Sequence, residues 1–184
     1  PSREEQSFAI MTGLVVLFIF SVCTCGYAQS DACDFKEPTD AWPTVKDSQR
    51  FFLVKNTDPS YLQCSFVDPP TNVNDEAKTA SITYGGKPAH MDVLVKQYGT
   101  VKVEGNRMTV TGGSGSGTST LLFTDPGVCD VVRGREGGCE LWVAESRLGH
   151  TPYGCCETRF HQCAGASRIT HLYQQQCLTY ETIA

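Results

Sequence analysis

The stretch Cys129-Asp130-Val131, followed after eight residues by Glu140-Leu141-Trp142 and after twelve more by Cys155, puts two carboxylates and an indole on neighbouring β-strands. Side chains alternate across a strand, so residues 139, 141 and 143 share one face and residues 140 and 142 the other. A carboxylate gives an ammonium its counter-charge, and the face of a Trp adds cation–π attraction of about 0.5–2 kcal/mol. The chemistry is that of a pocket for a small organic cation.

Outward from this stretch, the chain from Phe51 to Ala144 is a succession of short β-rich runs separated by Gly, Pro, Asn and Asp. Strands are expected over 51–55, 61–67, 80–84, 91–97, 100–104, 107–111, 119–124, 129–132 and 139–144. That number of short strands with turn signals between them suggests a sandwich or an up-and-down barrel. Gly85-Gly86 and Gly105-Asn106 read as hairpin turns. The tract Gly112-Gly113-Ser114-Gly115-Ser116-Gly117 imitates a phosphate loop, but it lacks the Lys-Ser/Thr end and no helical pattern follows it. It is expected to be a flexible hairpin tip. Helix is scarce: one over 157–166, with Phe160, Cys163 and Ala164 on one face, and a short one near Pro38, where Asp40-Ala41-Trp42 would close one end of a barrel.

The segment Met11 to Ala28 has an apolar core followed by small residues at Gly26 and Ala28, the pattern of a secretory signal peptide. It is shorter than the roughly 20 apolar residues a membrane helix needs. Residues 1–10 read as a leader or read-through, and 29–184 as a single domain. Removal of Arg3, Glu4 and Glu5 with the first 28 residues moves the net charge from −5 to −4, so nothing attracts nucleic acid or anionic lipid. Eight of the ten cysteines lie beyond Ala28, an even number that in a secreted chain implies four disulfides. Cys155 and Cys156 are adjacent and would strain if bonded to each other, so they tie two different elements to one point. Cys155, Cys156, His161 and Cys163 imitate a metal cluster, but secretion favours disulfides there, and no cofactor or metal is expected. His90, His150, His161 and His171 form no nucleophile–base arrangement, so an enzyme is not expected. No Asn-X-Ser/Thr sequon occurs.

The motif at Cys129, Asp130, Val131, Glu140, Leu141, Trp142 and Cys155 resembles that of the tick salivary lipocalins of the histamine-binding family. Asp40-Ala41-Trp42 with Phe51-Phe52-Leu53-Val54, and the cysteine-rich tail from Cys155 to Cys177, extend the resemblance over nearly the whole secreted chain. The Cys155-Cys156 pair is more similar to the soft-tick branch. The resemblance implies an all-β fold, an eight-stranded antiparallel lipocalin β-barrel with a short N-terminal helix and a C-terminal helix packed outside. The family's usual pairing, carried over, links Cys33 to Cys155, Cys64 to Cys177 and Cys129 to Cys156, which leaves Cys139 with Cys163. If Cys129 and Cys139 bond the helix region outside the barrel, Asp130, Glu140 and Trp142 point into the lumen. Two close buried acids should then raise each other's pKa or share a proton.

The resemblance further implies ligand-binding roles for Asp58, beside Pro59 near the pocket mouth, for Tyr61, and for Trp42 and Phe51 at the closed end. Asp58-Pro59 reads equally well as a plain turn. Asp125 is similar to a family acid, but its spacing to Cys129 is shorter, and one ligand site is expected. The function implied is a secreted, extracellular, monomeric scavenger of histamine or serotonin that suppresses host inflammation and haemostasis. A leukotriene or fatty-acid scavenger, or a complement-binding inhibitor, is the alternative on the same fold. An anionic lipid would need lumen-facing bases, for which Arg50, Lys55, His90, Lys96, Arg107 and Arg133 are the candidates.

Overall fold

A computed structural model describes residues 33–150 and 152–184. The expected leader and signal peptide lie outside the described residues. The strands are β1 (Phe51–Asn56), β2 (Gln63–Val67), β3 (Thr71–Asn74), β4 (Thr79–Lys87), β5 (Val93–Glu104), β6 (Arg107–Thr111), β7 (Gly117–Asp125), β8 (Cys129–Arg133), β9 (Cys139–Ala144), β10 (Thr170–His171) and β11 (Glu181–Ile183). Two α-helices join them, α1 (Trp42–Lys46) and α2 (Gly154–Ala164).

Strands β1, β2, β4, β5, β6, β7, β8 and β9 pair in that order, all antiparallel, and β9 returns to β1. The result is a closed eight-stranded barrel, which leaves no barrel strand with an open edge. Three short strands ride on it: β3 pairs with β4, β10 with β1, and β11 runs parallel to β5.

Apolar residues on the two sides of the barrel wall build separate cores. Outside, Val131, Leu141 and Val143 pack with Phe160 and Ala164 of α2, and the disulfides Cys129–Cys156 and Cys139–Cys163 pin the helix to β8 and β9. Inside, Ala41 and Trp42 pack with Ala80, Val101, Val103, Leu121 and Val132 and close one end. Cys33–Cys155 and Cys64–Cys177 complete the four disulfides, in the pairs the resemblance implies. Cys155, Cys156 and Cys163 are all consumed in them. Each bond closes a loop between distant elements, with a separation of 122 residues for Cys33–Cys155 and 24 for Cys139–Cys163.

Several local expectations are corrected. Gly85 and Gly86 are not a turn; they lie within β4, where a side chain on Gly85 would collide with the carbonyl of Val95 on β5. The runs expected over 91–97 and 100–104 are one strand, β5, continuous through Gly99. Helix α2 begins at Gly154 and stops at Ala164, ended by Gly165 at φ +54°, two residues before the expected end. Strand β2 starts at Gln63 rather than Tyr61, because Tyr61 and Leu62 belong to the loop over the barrel mouth. Gly105-Asn106 does join β5 to β6 as a two-residue turn.

Candidate functional site

Within the barrel lies a cavity of about 290 Å³, just below the usual size of small-molecule pockets. Its walls are mostly apolar: Phe51, Phe66, Ile82, Val101, Met108, Val110, Leu121, Val132 and Trp142 line it. Thr44, Val45 and Ser48, in and just after α1, form its floor. Tyr61, Tyr84, Gln97, Ser114 and Arg135 are among its polar lining.

Among the described residues, Asp130 and Glu140 are the two acids that line this cavity, and they sit at different depths. Register across β8 and β9 places Asp130 opposite Trp142, and Glu140 opposite Val132 and one step nearer the mouth. The alternation that sends Cys129, Val131, Cys139, Leu141 and Val143 outward to α2 turns Asp130, Glu140 and Trp142 inward. Diagonal neighbours of this kind have Cα atoms about 7–8 Å apart, so a small ligand can bridge them.

Glu140 is 2% exposed, and both of its oxygens hold protein donors. The Tyr61 hydroxyl donates to Oε1, and Trp142 Nε1 donates to Oε2 at 2.8 Å. Burial pushes the carboxyl up to about 7, opposed by these two hydrogen bonds; Asp58 adds to the rise and Arg135 resists it. Burial first, and then the neighbouring carboxylate, hold the Tyr61 phenol far above its ordinary pKa, so it remains a donor. Gly134, at the start of the β8–β9 turn, is what makes room for this carboxyl, since a Cβ there would collide with Glu140 Oε1. The turn itself is held by Gly134 N donating to Gly138 O at 2.8 Å.

Asp130 is 9% exposed, and burial pushes it too up to about 7, against the Thr124 hydroxyl that favours its charge; Asp125 adds to the rise. The mutual coupling expected of the two acids is not what raises them. Burial dominates in each, and the charges that act on them are those of Asp125 on one and of Asp58 and Arg135 on the other. Their stagger along the strands explains this.

Of the residues expected at the site, Asp130, Glu140, Trp142, Tyr61 and Phe51 line the cavity, and Asp58 and Trp42 do not. Asp58 Oδ1 accepts from Ser60 N at 2.9 Å, making the plain turn that was the other reading, and its charge acts on Glu140 although the residue does not line the cavity. Trp42 lies beneath the floor, 4% exposed, with Nε1 donating to Asp75 Oδ1 at 2.8 Å. None of Arg50, Lys55, His90, Lys96, Arg107 and Arg133 lines the cavity. Arg50 pairs with Asp68 and stacks over Phe66, and Lys55 meets Glu157 on the outer surface. Among the described residues the basic one that does line it, Arg135, was missed; it sits in a turn, where strand alternation assigns no face. Tyr84 and Gln97 were missed as well. Continuing the inward alternation of Val101 back along an unbroken β5 would have found Gln97.

The site is thus a mostly apolar chamber with two buried acids, one of them cradled by a phenol and an indole. Its buried carboxyls are hydrogen-bonded but have no salt-bridge partner among the described residues, an arrangement suited to a cation with an apolar body. A solved structure described as the crystal structure of AM182 in complex with serotonin is similar to this chain at 38% identity, with a TM-score of 0.72 over 79% of this chain and 96% of that one. The sequence model of the family described as tick histamine binding protein matches residues 30–179, and the chain belongs to that family.

Proposed function

We propose that this protein binds a biogenic amine, histamine or serotonin, inside the barrel and sequesters it. The observation that carries the reading is Glu140: a carboxyl buried in an apolar wall, its two oxygens fixed by Tyr61 and Trp142, facing a cavity that also holds Asp130. An ammonium at this wall would supply the counter-charge the buried acids lack, and the Trp142 ring would give it a π face. The family match and the serotonin complex of the 38% identical structure support the same ligand class. Each site residue acts by position. Glu140 and Asp130 bind the charged end, Trp142 and Phe51 flank the ring, and Tyr61 orients Glu140.

Sequestration works by mass action, which requires a dissociation constant near or below ~10⁻⁷ M for a mediator at sub-micromolar levels, about −9.5 kcal/mol. The setting we infer is a secreted scavenger that damps a host's inflammatory and haemostatic response. Four disulfides support an oxidising compartment. Parallel isothermal titrations of the oxidised protein with serotonin, histamine and a leukotriene test the reading. Saturable sub-micromolar binding of an amine is expected. Heat from the leukotriene alone would overturn it, and would put the lipid near Arg135.

A further inference from the structure

The glycine-rich tip between β6 and β7 covers the cavity. Ser114, Gly115 and Gly117 belong to the cavity wall, and three side chains from three other parts of the chain hold the tip in place. From β4, the Tyr84 hydroxyl donates to Gly112 O at 2.7 Å and accepts from Gly115 N at 3.1 Å. From β5, Gln97 Oε1 accepts from both the amide and the hydroxyl of Ser114, each at 2.8 Å. From the β8–β9 turn, Arg135 Nη1 donates to Ser114 O at 2.6 Å and to Ser116 O at 3.3 Å.

These anchors are unlike the rest of the barrel in one respect. The tip residues 112–117 are only Gly and Ser, so no apolar side chain is buried when the tip docks. Its attachment is a set of hydrogen bonds that water can replace, and Gly112 and Gly113, at φ +96° and +66°, provide a backbone that bends without side-chain strain. The close fit also needs Gly115, where a Cβ would lie 2.5 Å from the Tyr84 ring.

We propose that the 112–117 tip is a lid over the ligand cavity and that Tyr84, Gln97 and Arg135 are its latch. This rests on the reading of the cavity as the ligand site. The lid sets how fast a ligand enters and leaves, more than how tightly it is held, because opening is required in both directions. Arg135 couples the latch to the acid wall, since its charge is felt at Glu140. The neutral pair Tyr84 and Gln97 makes the latch separable from that charge.

Acrylamide quenching of Trp142 fluorescence tests the lid without any ligand, in a Trp42→Phe background so that one indole reports. Each lost hydrogen bond multiplies the open population by roughly fivefold, so both Arg135→Ala and the double variant Tyr84→Phe/Gln97→Ala should raise the quenching constant. Amide exchange at Ser114 and Gly115, which needs no Trp substitution, should speed up in the same two variants. In stopped-flow binding of serotonin, the association and dissociation rates of the double variant should rise together, with the dissociation constant changing less than either. Unchanged quenching and exchange in both variants would overturn the lid, as would association and dissociation rates that move in opposite directions or only one of which changes. Failure of the wild-type protein to bind either serotonin or histamine would instead overturn the ligand reading, while the quenching comparison still decides the lid.

Discussion

Trp142 Nε1 donates to Glu140 Oε2 at 2.8 Å from two residues along the same strand, so the indole and the carboxyl it would share a ligand with are already one unit. The Tyr61 hydroxyl holds the other oxygen from the loop over the mouth, 79 residues away in sequence. An incoming cation therefore meets a carboxylate whose orientation is set beforehand, which lowers the entropic cost of binding.

Replacing Glu140 by Gln keeps the size of the side chain and removes its charge. Loss of a charge-assisted hydrogen bond should weaken amine binding by about 1.5–3 kcal/mol while the barrel stays folded. Titration calorimetry together with thermal unfolding checks both halves. Unchanged affinity in a folded variant would remove Glu140 from the site.

Gly134→Ala tests the same group without altering any charge. The added methyl must displace the Glu140 carboxyl or the turn, so overpacking should cost about 1–3 kcal/mol of stability and amine affinity should fall with it. Gly134 has no positive φ, so the cost reports contact rather than backbone strain. Gly137, at φ +84° with open space around it, is the contrasting position: Ala there should leave binding intact, as measured by the same titration.

Both acids are held at about 7, above their ordinary values of 3.8 for Asp130 and 4.5 for Glu140. Between those limits the folded, ligand-free protein binds more protons than the unfolded chain. Its stability from these groups is therefore full below about pH 4 and is lost as the pH rises through 7. Amine binding runs the other way, because the complex needs the carboxylates charged. Affinity should fall as the pH drops below 7, and binding near pH 7 should release protons, seen as a dependence of the titration heat on the buffer's ionisation enthalpy.

Tyr61→Phe removes a hydrogen bond that lowers the Glu140 pKa. The pH midpoint of amine binding should move upward in this variant, and affinity at pH 8 should fall less than at pH 6. An unshifted midpoint would mean that Tyr61 contributes only shape.

Strand alternation made the inward face of β8 and β9 legible once the resemblance supplied the pairing, because Cys129 and Val131, and Cys139 and Leu141, recur at period two on the side bonded to the helix and leave the acids between them on the other. The β-rich runs and turn residues left a sandwich and an up-and-down barrel both open, and the family resemblance chose the barrel. Glycine misled in both directions. Gly85-Gly86 looked like a turn but serves a close strand approach, and Gly99 looked like a break in a strand that runs straight through. β3, β10 and β11 are short and fixed by pairing with the barrel, so no local signal marks them. The cover that the 112–117 tip makes over the cavity depends on contacts from Tyr84, Gln97 and Arg135, and a run of Gly and Ser carries no trace of them.

The hold of the buried acids on a cationic amine is tested most directly by titrating serotonin and histamine at pH 8 into the wild-type protein and into Asp130→Asn/Glu140→Gln, both with intact disulfides. One saturable sub-micromolar event with at least one of the amines is expected in the wild type, and its weakening by at least about two orders of magnitude in the double variant, the sum of two charged contacts. Equal affinity in the two proteins would contradict it.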